Sequence, residues 1–327
     1  MEATSANPKP KSADGKIDFA VGGQAVLEGV MMRSPNNIVI AVRKKNKTIK
    51  VFKKKYNVLT QRYKLLNIPI IRGVVNLFEM MVIGTKSINI SANEMLEDEL
   101  TPAEKKEMKN QKKSTGMKVL EYLMFVFSLI LALALSIFLF KFIPLWVTTL
   151  LQEKIPYLKE HYFAFNLLDG VLKMFMFLAY IYVLSLIPSF RRIFEYHGAE
   201  HKSIFTYENH LKLIPENAKK QTRFHPRCGT SFILIVFVIS ILVYTALPKQ
   251  PNFWENLSVR LAFLPLIAGI SYEYLKASAK YSKNFMVKAI IQPGLWFQRL
   301  TTKEPNKAQL EVGLKSLETA LAMEKKA

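Results

Sequence analysis

Residues 119–140, VLEYLMFVFSLILALALSIFLF, carry a single charge, Glu121. As an α-helix the run is about 33 Å long, enough to cross a hydrocarbon core of about 30 Å. Three further stretches follow. SFILIVFVISILVYTAL (231–247) has no charge and stands at the short end of the spanning range. LLDGVLKMFMFLAYIYVLSLI (167–187) carries Asp169 and Lys173 one helical turn apart near its start, where they can pair or snorkel. SVRLAFLPLIAGISYEYL (258–275) is interrupted by Pro265 and Gly269, with its charges near the ends. A soluble core does not concentrate apolar residues in long uncharged runs. The expected fold is a mainly α-helical integral membrane protein with about four transmembrane helices.

Half of the residues are apolar, yet the formal net charge is +21. Lys and Arg gather on one side of membrane proteins, and short loops are the fair test of that rule. Segment 188–230 holds eight of them, against three in 141–166 and one in 248–257. That asymmetry puts both termini and 188–230 in the cytoplasm of a multi-pass cell-membrane protein. It also accounts for the basic pI without a nucleic-acid partner. The first twenty residues have no apolar core of a signal peptide and read as a disordered tail. The one cysteine, Cys228, has no internal disulfide partner; in the cytoplasm it stays reduced and available to a metal.

The expected organisation follows from these spans. Residues 1–20 are the tail. Residues 21–118 form a cytoplasmic region with a Gly-rich segment, a β-hairpin and an interfacial amphipathic helix. The first transmembrane hairpin is 119–187, the cytoplasmic His/Cys loop 188–230, the second transmembrane hairpin 231–275, and the cytoplasmic C-terminal region 276–327. VGGQAVLEGVMMRSP (21–35) suggests a tight turn but lacks the Gly-Lys-Ser/Thr ending of a phosphate loop. Two β-rich runs around KKNKT in 37–56 signal the hairpin, whose lysines suit anionic lipid headgroups or a solvated face. In 68–84, Arg72, Asn76 and Glu79 fall on one helical face, as in a helix lying in the membrane interface. Residues 94–118 read as a solvated helix or linker. Leu310, Leu314, Leu317 and Leu321 predict a peripheral helix near the C-terminus.

The chemistry concentrates in EYHGAEHK (195–202) and RFHPRCGTSF (223–232). His197 and His201 are four apart, on one face of a helix. His225 and Cys228 have ligand-like spacing across a turn stiffened by Pro226. Two ligands from a helix and two from a turn make a tetrahedral His3Cys set, and imidazole with thiolate suits a divalent metal, zinc above all. HGAEH also matches the His-x-x-Glu-His pattern of inverted zinc peptidases, in which Glu200 is the general base. There a catalytic site needs three protein ligands and one open position, so His225 or Cys228 need not ligate. The alternative is that the histidines bind headgroups or backbone and Glu200 pairs with Lys202 or Arg191. Glu28, Glu79 and Glu208 are further carboxylates with no evident structural role, and Glu79 needs a partner: Arg72 or the metal site.

GGQAVLEGVMMR (22–33), IPIIRGVVNLFEMM (68–81), EYHGAEHKSI (195–204) and HPRCGTSF (225–232) together resemble the YqhQ-like family of bacterial membrane proteins, over about residues 20–300. The resemblance implies a multi-span protein of the bacterial inner membrane, in a family of unknown function described as predicted metal-dependent enzymes. Three functions compete: a zinc-type hydrolase at the cytoplasmic membrane face, a non-enzymatic scaffold or interaction protein with a structural metal, and a transporter. The transporter reading is the weakest, because the spans show little internal charge and no paired broken helices.

Overall fold

The computed structural model describes residues 21–101, 104, 115–248, 250–280 and 285–325. The predicted tail 1–20 and residues 105–114 of the predicted linker lie outside them. The chain divides into two compact units, one of Met1–Glu99, Val183–Ser231 and Ser278–Ala327, the other of Leu100–Tyr182 and Phe232–Ala277.

The first unit is built on a four-stranded antiparallel sheet, β1 Gly22–Val26, β2 Gly29–Arg33, β3 Asn37–Arg43 and β4 Ile49–Lys55, in that spatial order. The expected hairpin is β3–β4. The Gly-rich segment adds a second one, β1–β2, around a turn in which Glu28 takes a φ of 50°. Alternation along the central strands feeds two cores. Val30, Met32, Val39 and Ala41 meet helices α5 (Pro188–Glu208) and α10 (Lys307–Glu324) through Tyr196, Ile204, Val312 and Leu317. Met31, Ile38, Ile40 and Val42 meet Met80, Ile83, Ile90 and Met95 of α1 (Ile71–Glu99). Only β4, with Lys53, Lys54 and Lys55, presents an exposed basic strand.

Two expectations change here. Helix α1 runs well past residue 84, so 94–99 are helical, as one of the two expectations had it, but not simply solvated: Glu94 is buried and held by Lys50 at 2.7 Å and Lys44 at 3.1 Å. The C-terminal helix is not peripheral. Leu310, Leu314, Leu317 and Leu321 of α10 are all buried, and its Ser316 hydroxyl donates to the Val39 carbonyl at 3.1 Å. A capping box of Asn306 and Gln309 starts it. The leucine spacing was visible, but not the sheet that it packs on.

In the second unit, α2 (Thr115–Ile137) passes through a π-helical turn, Phe138–Phe142, into α3 (Ile143–Lys154). Helix α4 is Tyr162–Leu186 and α6 is Gly229–Ala246. Helices α7 (Phe253–Ala262) and α8 (Leu264–Lys280) are bent by 43° at their junction, just before Pro265. Among the described residues, three helices are long and apolar enough to cross a membrane, Tyr122–Lys154, Tyr162–Leu186 and Gly229–Ala246, or four if the bent pair is one span. Their apolar side chains, such as Leu131, Leu133 and Leu135, are exposed. Asp169 and Lys173, expected to pair or snorkel, pair with each other, and both are buried, as is Arg260.

Candidate metal centre

Pro188 sets the site's main helix. The residue before a proline is pushed out of the helical region, so α4 stops at Leu186, Ile187 is extended, and Pro188 opens α5 at its first turn. From there the 3.6-residue period places His197 and His201 on one face, their rings 4.5 Å apart. Each ring is fixed from behind. His197 Nδ1 donates to the Thr301 carbonyl at 2.8 Å, and His201 Nδ1 to the Arg223 carbonyl at 2.5 Å. A carbonyl can only accept, so Nδ1 carries the proton in both rings and the Nε2 lone pairs face the site.

Cys228 arrives from the turn that precedes α6. Its Sγ lies 3.3 Å from His197 Nε2 and 3.1 Å from the Thr230 hydroxyl. One ligand atom from each of His197, His201 and Cys228 lies within 4.8 Å of the other two. A tetrahedral zinc with its usual Zn–N and Zn–S lengths holds nitrogen and sulfur about 3.5 Å apart, so this donor set fits the ion. A four-coordinate ion held by these three would keep one position for a further ligand.

Glu200 stands beside them, 4% exposed, with Oε2 3.8 Å from His197 Nε2 and 3.9 Å from His201 Nε2. Burial pushes its carboxyl above the usual range, against the pull of His197 and His225 and a hydrogen bond from the Gly23 N–H. It pairs with neither predicted lysine nor arginine. Lys202 turns away to Glu304 and the Lys219 carbonyl, and Arg191 faces Glu195 at 3.8 Å. Burial also lowers His201, keeping it neutral as a ligand must be.

The structure does not bring His225 into this set. Its Nε2 faces Glu208 at 3.3 Å, and its Nδ1 accepts from the Arg227 N–H at 3.3 Å, so both nitrogens are engaged elsewhere. Burial holds it down at about 4. Its ring packs 5.6 Å from that of His201, one layer behind the site. Glu208 also pairs with Arg227 and so belongs to that second layer. Glu28 is elsewhere, bound by Arg192 and, at 3.2 Å, by the Tyr196 hydroxyl. Glu79 accepts from the Leu59 N–H at 3.1 Å and faces Tyr56, not the histidines.

Several contributors gave no sequence signal. Gln298 is buried and brackets the His225 backbone, accepting from its N–H at 2.7 Å and donating to its carbonyl at 2.8 Å. Thr301 and Arg223 act through main-chain carbonyls, which no side-chain pattern reveals. Gly198 did stand in the motif. The Lys303 carbonyl oxygen lies 2.1 Å from where its Cβ would be, so only glycine lets residues 301–303 cross α5 beside His197.

Fold and site together define a mainly helical protein with several span-length apolar helices and a His/His/Cys cluster beside a buried carboxylate. The chain belongs to the DUF1385 family of proteins of unknown function, whose sequence profile matches residues 68–323. It is 35% identical over 316 residues to the uncharacterized protein YqhQ of Bacillus subtilis (strain 168), covering 94% of each chain. No solved structure matches it significantly.

Proposed function

We propose that this protein is a membrane-embedded, metal-dependent hydrolase, with a divalent metal, zinc by its ligand chemistry, held by His197, His201 and Cys228, and with Glu200 as the general base. The observation that carries this reading is the convergence of two Nε2 lone pairs and a sulfur beside one buried carboxylate. A metal there would polarise a carbonyl or phosphoryl oxygen and acidify water. Glu200, raised by burial and steadied by Gly23, holds and passes a proton at Oε2 within reach of that position. The partial burial of His197, with 16% of its side chain exposed, leaves the open position an approach.

The site works at the cytoplasmic membrane face in this reading. What supports it is the basic excess of 188–230 and the exposed apolar surface of the span-length helices. Phe78, Met81 and Val82, exposed on α1, would enter the interface, and the lysines of β4 would meet anionic headgroups.

Glu200→Gln tests the enzymatic role, since it keeps size and reach but cannot accept the proton. The variant is expected to keep its metal and fail to complement a deletion strain under a condition where the wild-type gene matters. Full complementation with metal retained contradicts catalysis and leaves a structural metal tying α5 to the 222–228 turn.

A further inference from the structure

The second unit holds a group of charges that the metal centre does not use. Asp169, Lys173 and Arg260 are 1%, 1% and 2% exposed. Asp169 pairs with both cations, and Arg260 Nε donates to Asn256 at 2.7 Å. Lys141 joins them: its Nζ lies 3.4 Å from the Tyr244 hydroxyl and 5.4 Å from the ring centre. The same ring faces Lys173 at 5.5 Å and Arg260 at 4.6 Å. Three cations therefore crowd one aromatic ring against one carboxylate.

That balance is not self-sufficient. Charges inside a helical unit persist when they are paired, and half-buried Lys141 has, among the described residues, a long contact to a phenol and no carboxylate partner. The Tyr244 proton is already given to the Arg260 carbonyl at 3.0 Å. Asp169 Oδ1 is buried and, among the described residues, has no hydrogen-bond partner. A basic side chain without a carboxylate partner and one spare acceptor thus coexist. The backbone is irregular at both contributing elements: Lys141 sits in the π-helical turn Phe138–Phe142, and Arg260 stands three residues before the bend between α7 and α8. Irregularities of this kind recur where helices make room for a ligand.

We infer that this cluster binds a phosphate group with a hydroxyl on or beside it, either hydrogen phosphate or the headgroup of a phospholipid such as phosphatidylglycerol, whose hydroxyls are on its glycerol. Lys141 donates to its oxygens, the Lys173 and Arg260 charges balance it, and Asp169 Oδ1 accepts from its hydroxyl. A fully ionised anion without a donor satisfies only half of that requirement.

The test uses full-length protein, purified in detergent and stripped of lipid, and reads the thermal unfolding midpoint. Inorganic phosphate is titrated against sulfate at equal ionic strength, and phosphatidylglycerol against phosphatidylcholine. Phosphate or phosphatidylglycerol should raise the midpoint more than its control. A response to the lipid alone, with the lipid retained on purification, assigns the headgroup as the source; a response to both assigns the free anion as well. Lys141→Gln should weaken the response about tenfold, the loss expected of one charge-assisted hydrogen bond. Lys141→Glu, which supplies a carboxylate from within, should fold without added anion and ignore phosphate. The inference is overturned if neither ligand shifts the midpoint, if sulfate equals phosphate, or if Lys141→Gln responds as the wild type does.

Discussion

At Gly198 and Gly23 the proposed site depends on the absence of a side chain, at the first beside the candidate ligand His197 and at the second beside Glu200. A methyl at 198 would displace the Lys303 carbonyl and, with it, the Thr301 carbonyl that fixes His197. Gly198→Ala should therefore weaken metal binding by about 10–100-fold, the range seen when a ligand loses its orienting partner; competition with a chelator measures it. A methyl at 23 would meet Glu200 Cγ at 2.7 Å and the Met31 carbonyl at 2.8 Å, and touches no ligand. Gly23→Ala is expected to cost about 1–3 kcal/mol of stability through overpacking. It should keep the metal and fail in the same complementation assay as Glu200→Gln. Equal metal loss in both glycine variants would contradict this division of labour. At this scale the sequence was informative where chemistry rides on side chains. That His197, His201 and Cys228 come together beside Glu200 was foreshadowed by residue type and spacing. The spacing of His225 was equally suggestive, but whether its ring turns toward Cys228 or toward Glu208 depends on packing that spacing does not encode.

Helix α1 and the β3–β4 turn are joined by charges, Lys44 and Lys50 on Glu94, and Lys44 on Asp98 at 2.9 Å. Burial alone would raise the Glu94 carboxyl, but the two lysines outweigh it and hold it below the usual range. A folded-state value below the unfolded one adds stability above the unfolded carboxylate range, and that stability is lost as pH falls through the folded value. Glu94→Gln should cost about 1–2 kcal/mol near neutral pH, allowing for partial solvent screening. The gap between variant and wild type should close on acidification; thermal unfolding at neutral and acid pH would show it, and a gap that widens in acid would contradict it. This contact also explains why residues 94–99 looked solvated. Acidic residues without an apolar face read as solvated until the basic turn that covers them is known. The β1–β2 hairpin was hidden for a related reason: its turn places Glu28, not glycine or asparagine, at positive φ, held by Arg192 and Tyr196 from distant α5.

For the molecule as a whole, the long apolar runs made the mainly helical architecture with its span-length helices readable, because a segment able to cross a membrane constrains every one of its residues at once. The sheet-and-helix unit was less readable, since it is assembled from segments on either side of the spans. Reporter fusions after residues 110, 210 and 310 are expected to read cytoplasmic, and one after 155 external. An external signal at 210 would contradict both the orientation and the reduced setting that leaves Cys228 free to bind a metal.

The proposed metal centre consists of His197, His201 and Cys228, with His225 behind it. Elemental analysis of protein purified without chelator tests it most directly, comparing the wild type with His201→Ala, Cys228→Ser and His225→Gln. The account predicts about one zinc or similar ion per chain, lost from the first two variants and retained by His225→Gln. A metal-free wild type, or a His225→Gln variant that loses the ion while Cys228→Ser keeps it, would contradict it.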